Sequence, residues 1–562
     1  MSLSKTFLGR VVRILESHGI RHIVISPGSR NAPLILAFTS RPGLEVFTIP
    51  DERSAAHFAL GLAQQTGKPA VLVCTSGTAP LNYSPAVAEA FYQKIPMLVF
   101  TADRPADHID QGDGQTIRQN GIYNNFIKKS FLFPQEILPG TEEANAGYLI
   151  NEAVLHTLVP EPGPVHINFP FTEPLYGFEP DFSTPVQTLP VPDPGISLPD
   201  DLVKGILRTW ENTRKKMIIT GQMLPGHGIA GLLTRISEDQ SVVVMTETTS
   251  NLPVHDQFIT GIDKVVETIL PEEEQDFAPE LVITLGGHIV SRKIKSFISR
   301  VKPSEHWHIT PAGTGMDMFG RLTRTLTAPA NVILEILEKS RRENISAFRE
   351  QWKIRATRSD QRMTAYMANI PFSDLKVFEI VLGSIPGQSL LHLGNSTPVR
   401  YHQLFRQKQP KLRVFGNRGV SGIDGTVSTA AGAAWTADAP VYLITGDMGF
   451  FYDANGLWHD YLLENLKIIV INNGGGGIFR FIDGPAESGK LPFFEAPHNL
   501  SARPVAEMHG LNYLQAKDDQ TLRERLSALH RNPGPSLLEI FTPRETNGFV
   551  LKAYFSELKR PD

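Results

Sequence analysis

The chain has 562 residues, a formal net charge of −4 and a single cysteine, with 41% hydrophobic and 20% charged residues. This is an ordinary globular composition, and a soft prior of about 150 residues per domain implies three or four domains. The charge balance gives no reason to expect a nucleic acid or an anionic membrane as partner. The lone Cys74 excludes an intrachain disulfide or a multi-thiolate metal site, and no apolar run reaches membrane-spanning length, so a cytoplasmic protein is expected.

Residues 6–18 set Phe7, Val11, Val12, Ile14 and Leu15 at helical spacing, and Gly19 closes that helix. The residues before it lack the apolar core of a secretion signal. His22-Ile23-Val24-Ile25 reads as a buried strand feeding the turn-rich loop 26–33. The pattern then repeats. The apolar run 71–74 leads into Thr75-Ser76-Gly77, the run 97–100 into Thr101-Ala102-Asp103-Arg104, and the run 165–168 closes the unit. Strands alternating with helices imply a parallel sheet covered on both faces. The Pro-rich stretch 172–199 reads as a linker. A second unit has strands at 217–220, 242–245, 281–285 and 306–309, and the charged, helical stretch 340–374 reads as a connector. A third unit has strands at 390–393, 412–415, 441–444, 468–471 and 537–540. The expected fold is α/β, with three doubly wound domains of largely parallel sheet spanning 1–180, 195–345 and 365–562.

The third unit carries the most informative stretch. Leu443-Ile444-Thr445-Gly446-Asp447 and Ile471-Asn472-Asn473-Gly474-Gly475 are apolar runs ending in small and polar residues. Between them lies a crossover expected to be helical. Two buried parallel strands would thus present a carboxylate and an amide at their carboxyl ends, where open α/β sheets bind ligands. Asp447, Asn473 and the carbonyl of Gly475 are hard oxygen donors suited to Mg²⁺ or Mn²⁺ bridging a diphosphate. The rival reading makes Asp447 a helix cap and Asn473 a turn residue.

Asp51-Glu52 also admits two readings: an N-cap followed by an acid favoured by the helix dipole, or a catalytic carboxylate at Glu52. Two decoys are rejected. Residues 484–490 have Walker spacing, but Leu491 replaces the metal-binding hydroxyl, and Gly474–Gly477 lacks the third glycine of a dinucleotide fingerprint.

The pair Gly446-Asp447 and Asn472-Asn473 resembles the diphosphate motif of thiamine diphosphate enzymes, with Met448 where glycine is usual. Ser26-Pro27-Gly28-Ser29-Arg30, Asp51-Glu52-Arg53, Thr101-Ala102-Asp103-Arg104-Pro105, Gly394-Asn395-Ser396 and Asn417-Arg418-Gly419-Val420-Ser421-Gly422-Ile423-Asp424-Gly425 resemble one family among them. That family is the 2-succinyl-5-enolpyruvyl-6-hydroxy-3-cyclohexene-1-carboxylate (SEPHCHC) synthases of menaquinone biosynthesis. The resemblance implies decarboxylation of 2-oxoglutarate and addition of the succinyl unit to isochorismate. It also implies a cofactor site between two chains, in a homodimer or homotetramer. Glu52 would meet the cofactor's pyrimidine, with Asp447, Asn473 and Gly475 at the metal. Arg30, Arg104, Arg400 and Arg418 would hold substrate carboxylates, and Ser396 and Gln115 would add polar contacts. Arg292-Lys293 would supply a basic pair, with a solvated helix face as the alternative. Ile423 would prop the bent cofactor, with plain core packing as the alternative; Ile478 and Phe479 would pack on the cofactor or simply at a helix start. Another thiamine diphosphate 2-oxo acid decarboxylase or carboligase, including a flavin-bearing oxidase, and a non-catalytic binding module are the rivals.

Overall fold

The computed structural model describes residues 3–192, 195, 198–340, 346–405, 411–481 and 484–560. These hold three six-stranded sheets, and every pairing between their strands described here is parallel. The chain divides into two compact units, one of residues 1–194, 417–441 and 449–466, the other of 195–416, 442–448 and 467–562.

The sheet of the first unit runs, edge to edge, Glu45–Thr48, His22–Ile25, Ala70–Cys74, Met97–Asp103, Pro164–Pro170, Lys129–Leu132. Numbered along the chain, that order is 2-1-3-4-6-5. The second unit holds two sheets. One runs Arg324–Thr327, Glu305–Thr310, Leu281–Leu285, Lys216–Thr220, Val242–Thr246, Phe258–Ile259, which is the 3-2-1-4-5-6 order of dinucleotide folds read from its far edge. The other runs Arg413–Phe415, Leu390–Leu393, Val441–Gly446, Leu466–Asn472, Ser536–Phe541, Asn512–Ala516, again 2-1-3-4-6-5.

Interior strands are buried along nearly their whole length, and most are rich in Val, Ile and Leu, as parallel sheets covered on both faces require. Sequence reading missed Glu45–Thr48, Lys129–Leu132, Phe258–Ile259, Arg324–Thr327 and Asn512–Ala516, and each of these is an edge strand. Four of them carry exposed or half-buried residues that dilute the apolar signal, and Phe258–Ile259 is only 2 residues long.

Three further expectations change. Thr101-Ala102-Asp103 is not loop but the end of a strand, paired in register with Asn168-Phe169-Pro170. Its polar side chains are satisfied inside the sheet: Thr101 Oγ1 donates to Asn168 Oδ1 at 2.7 Å, and Asn168 Nδ2 to Asp103 Oδ2 at 2.8 Å. The connection between Gly446 and Leu466 is not one long helix. It is a short helix, Asp447–Tyr452, a 3₁₀ turn, Ala454–Leu457, and irregular chain. The described residues of the linker 172–199 form no helix or strand, but its first part is packed. Asp181 accepts from Arg10 Nε at 2.8 Å, and Phe178, Phe182 and Val186 rest on the first core. In the connector, helix Phe348–Met367 buries Trp352 edge-on against Phe277 and Phe297; residues 341–345 lie outside the described residues. Among the described residues no helix is long and apolar enough to cross a membrane.

Candidate active site

In the first unit the helix Glu52–Thr66 follows an edge strand. Asp51 caps it, accepting from Ser54 N at 3.0 Å and from Asn455 Nδ2 at 2.8 Å. Glu52 is then the first helical residue, half-buried, and burial lifts its carboxyl above the ordinary range, with Asp51 adding to the rise. The capping reading holds for Asp51, and the acid perturbed by burial beside it is Glu52. The helix is locked by near backbone contact with helix Thr426–Thr436. A Cβ on Gly61 would lie 2.1 Å from the Thr429 carbonyl oxygen, and one on Gly432 2.0 Å from that of Phe58. Gly425, at φ +70°, abuts His57 of the same helix. Two residues earlier Ile423 stands 37% exposed, so it is not the core residue its sequence context allows.

Arg30, Arg104 and Gln115 gather at the carboxyl end of the first sheet. Arg30 is buried, with its guanidinium donating to Phe171 O at 3.1 Å and Glu173 Oε1 at 3.2 Å. Burial and the neighbouring Arg104 both act to lower its pKa. Arg104 donates to Gly114 O at 2.8 and 3.1 Å, which brings the loop bearing Gln115 alongside. Gln115 is exposed, and its Cα would lie 3.1 Å from a Cβ on Gly77, which at φ +87° favours glycine. Arg418 is buried on a different loop. The buried carboxylate of Glu89 accepts from the next two backbone nitrogens, Gly419 at 2.6 Å and Val420 at 2.7 Å.

In the second unit Asp447 is buried at the first helical position after its strand. Oδ1 accepts from Met448 N at 2.7 Å, and Oδ2 from Gly474 N at 2.7 Å and Gly475 N at 3.0 Å. It is the first residue of its helix rather than the N-cap, and its carboxylate ties two strand ends together. His498 Nε2 stands 3.4 Å from Oδ2. Asn473 donates from Nδ2 to Asp374 Oδ2 at 3.0 Å, while its Oδ1 is buried with no hydrogen-bond partner. Gly475, at φ +146°, has no room for a side chain: a Cβ would meet Glu495 O at 2.7 Å. An acid, an orphaned amide oxygen and a backbone carbonyl fit a hard divalent cation.

Arg400 projects from helix Thr397–Leu404, which follows Ser396 at φ +71°. With Arg292, Lys293, Asp263, Ile478 and Lys552 it lines a cavity of about 330 Å³. The basic pair lines this cavity from the first turn of helix Arg292–Val301, where Arg292 is exposed. Lys293 is ion-paired with Glu267 and lies 4.4 Å from the Phe555 ring centroid. Phe479 instead faces Phe494, ring centroids 5.8 Å apart, and is not among the residues lining that cavity.

The chain matches three family models: Thiamine pyrophosphate enzyme, N-terminal TPP binding domain, over residues 6–122; Middle domain of thiamine pyrophosphate, over 203–392; and Thiamine pyrophosphate enzyme, C-terminal TPP binding domain, over 394–540. It is 43% identical over 550 residues to the 2-succinyl-5-enolpyruvyl-6-hydroxy-3-cyclohexene-1-carboxylate synthase of Flavobacterium psychrophilum, covering 98% of each chain. The synthases of Flavobacterium johnsoniae (42%, 98% of each chain) and Christiangramia forsetii (40%, 100% of each) are also similar. The chain belongs to this SEPHCHC synthase family.

As a SEPHCHC synthase family member it is a thiamine diphosphate enzyme. Three residues that shape its site escaped sequence reading. Arg544 donates to the carbonyls of Asn473 and His498 at 3.2 and 3.3 Å, and to that of Gly474. Glu89 and Asp374 act across gaps of 330 and 99 residues. Locally, Arg544 and Asp374 signal only a helix start and Glu89 only a helix interior, so no sequence cue marked them.

Proposed function

We propose that the protein decarboxylates 2-oxoglutarate with thiamine diphosphate and adds the resulting succinyl unit to isochorismate, giving SEPHCHC and CO₂. Mg²⁺ or Mn²⁺ would serve as the metal, and the working assembly would be a cytoplasmic homodimer or homotetramer. The observation that carries the substrate assignment is the basic wall of one cavity, Arg292, Lys293 and Arg400 beside Ile478. Both substrates are dicarboxylates, and guanidinium forks suit them.

Bound thiamine diphosphate would supply the electron sink for loss of CO₂. Glu52, with its carboxyl raised by burial, would hold and exchange a proton at the pyrimidine ring. Asp447, Asn473 and the Gly475 carbonyl would hold the divalent metal. Ile423, Ile478 and Phe479 would pack on the cofactor, with Ser396 a polar contact to it. Arg30, Arg104 and Gln115 form one polar cluster for a substrate carboxylate. Arg418, on the loop fixed by Glu89, is a further cation.

The test mixes protein, Mg²⁺ and thiamine diphosphate with each substrate alone and with both. The expected result is isochorismate loss only when 2-oxoglutarate is present, matched by CO₂ release. CO₂ release with isochorismate untouched would overturn the assignment in favour of a simple decarboxylase.

A further inference from the structure

The two ends of a primary amide are nearly equal in size, but only the oxygen can ligate a cation. A side chain that must present Oδ1 therefore needs a partner that will accept only from Nδ2. For Asn473 that partner is Asp374, whose Oδ2 accepts from Nδ2 at 3.0 Å while Oδ1 of Asn473 stays buried and unpartnered. Asp374 is itself fixed on every side. Its Oδ1 accepts from Thr542 Oγ1 at 2.6 Å, and its backbone N–H donates to Asn547 Oδ1 at 2.8 Å. Asn547 Nδ2 in turn donates to Thr542 Oγ1 at 3.2 Å. Asp374 is buried, and it opens the helix Asp374–Ser384 directly after the Ser373 cap, so its backbone cannot drift. A flipped Asn473 amide would set its oxygen against a carboxylate oxygen, two acceptors with no proton between them.

We propose that Asp374 is a positioning residue that selects the ligating orientation of the Asn473 amide and thereby sets the protein's affinity for its divalent cation. The proposal rests on the reading of Asn473 as a metal ligand, and it implies a sharp epistasis. An aspartate at 473 has no wrong end, so it needs no selector.

The experiment titrates Mg²⁺ calorimetrically into the full-length protein at fixed thiamine diphosphate, with melting curves as the check on folding. Asp374→Leu should weaken Mg²⁺ binding about ten- to a hundredfold, the usual cost of losing a partner that orients a ligand. In the Asn473→Asp background the same substitution should cost little. Asp374→Asn, which keeps the volume and can face Asn473 with either end, should show the same pattern at smaller amplitude, and it carries the test if Asp374→Leu does not fold. An equal fold-loss in both backgrounds marks a merely structural role and overturns the proposal, as does wild-type Mg²⁺ affinity in Asp374→Leu. Unchanged Mg²⁺ affinity in Asn473→Ala overturns instead the ligand reading beneath it.

Discussion

The first and third sheets share the strand order 2-1-3-4-6-5, yet the chemistry at their carboxyl ends is nearly inverted. After strand 2 the first sheet offers the acid Glu52, and the third offers Arg418. After strands 1 and 4 the first offers Arg30 and Arg104. After strands 3 and 4 the third offers Asp447 and Asn473. Topology fixes where loops converge, and the residues placed there decide what the place can do. The two sheets also share a buried histidine. His166 lies between Thr101 Oγ1 at 2.7 Å and Ser130 Oγ at 3.2 Å, and His392 stacks on Phe415.

The comparison can be broken at Glu52. Glu52→Gln should keep the fold and lower turnover by about a hundred- to ten-thousandfold, the usual worth of a placed acid or base. Full turnover in the variant would remove the acid's role and with it the contrast between the sheets. A smaller effect is expected from Arg104→Ala. Losing one charged hydrogen-bond donor should raise KM for a dicarboxylate substrate about tenfold or more, with kcat less affected. A steady-state comparison of both substrates would show which of them this end of the first sheet holds.

The smallest effect sharpens what the sheets have in common. Burial holds His166 and His392 neutral, with pKa values lowered to about 3. Unfolded, each would protonate near pH 6.5. Between those values the unfolded chain binds more protons, so stability is full above pH 6.5 and falls as pH drops towards 3. The loss is about 1 kcal/mol per pH unit for each histidine. Urea unfolding at pH 7 and pH 5 should show the decline, and His166→Gln should flatten it.

The interior of every sheet was legible because strands such as 281–285 and 466–472 are largely apolar and buried throughout, which parallel sheets demand. Edge strands such as Lys129–Leu132 are mostly half-buried or exposed and blend into the surrounding loops. The residues proposed for the site, Glu52, Asp447 and Asn473, sit in short motifs that can be read locally. Asp374, Glu89 and Arg544 cannot be, because each is an ordinary residue of a helix or its start whose meaning comes from a backbone or amide that only folding brings near. The same holds for Gly61 and Gly432, which look like weak points in helices until the close approach of the two backbones explains them.

A titration of thiamine diphosphate with Mg²⁺ into wild type, Glu52→Gln and Asp447→Asn, followed by calorimetry beside turnover, separates the two acids. Division of labour between the matched sheets predicts that Glu52→Gln binds the cofactor nearly as wild type does and turns over almost nothing, while Asp447→Asn loses binding itself. Comparable binding losses in both variants, or tight binding in Asp447→Asn, would contradict it.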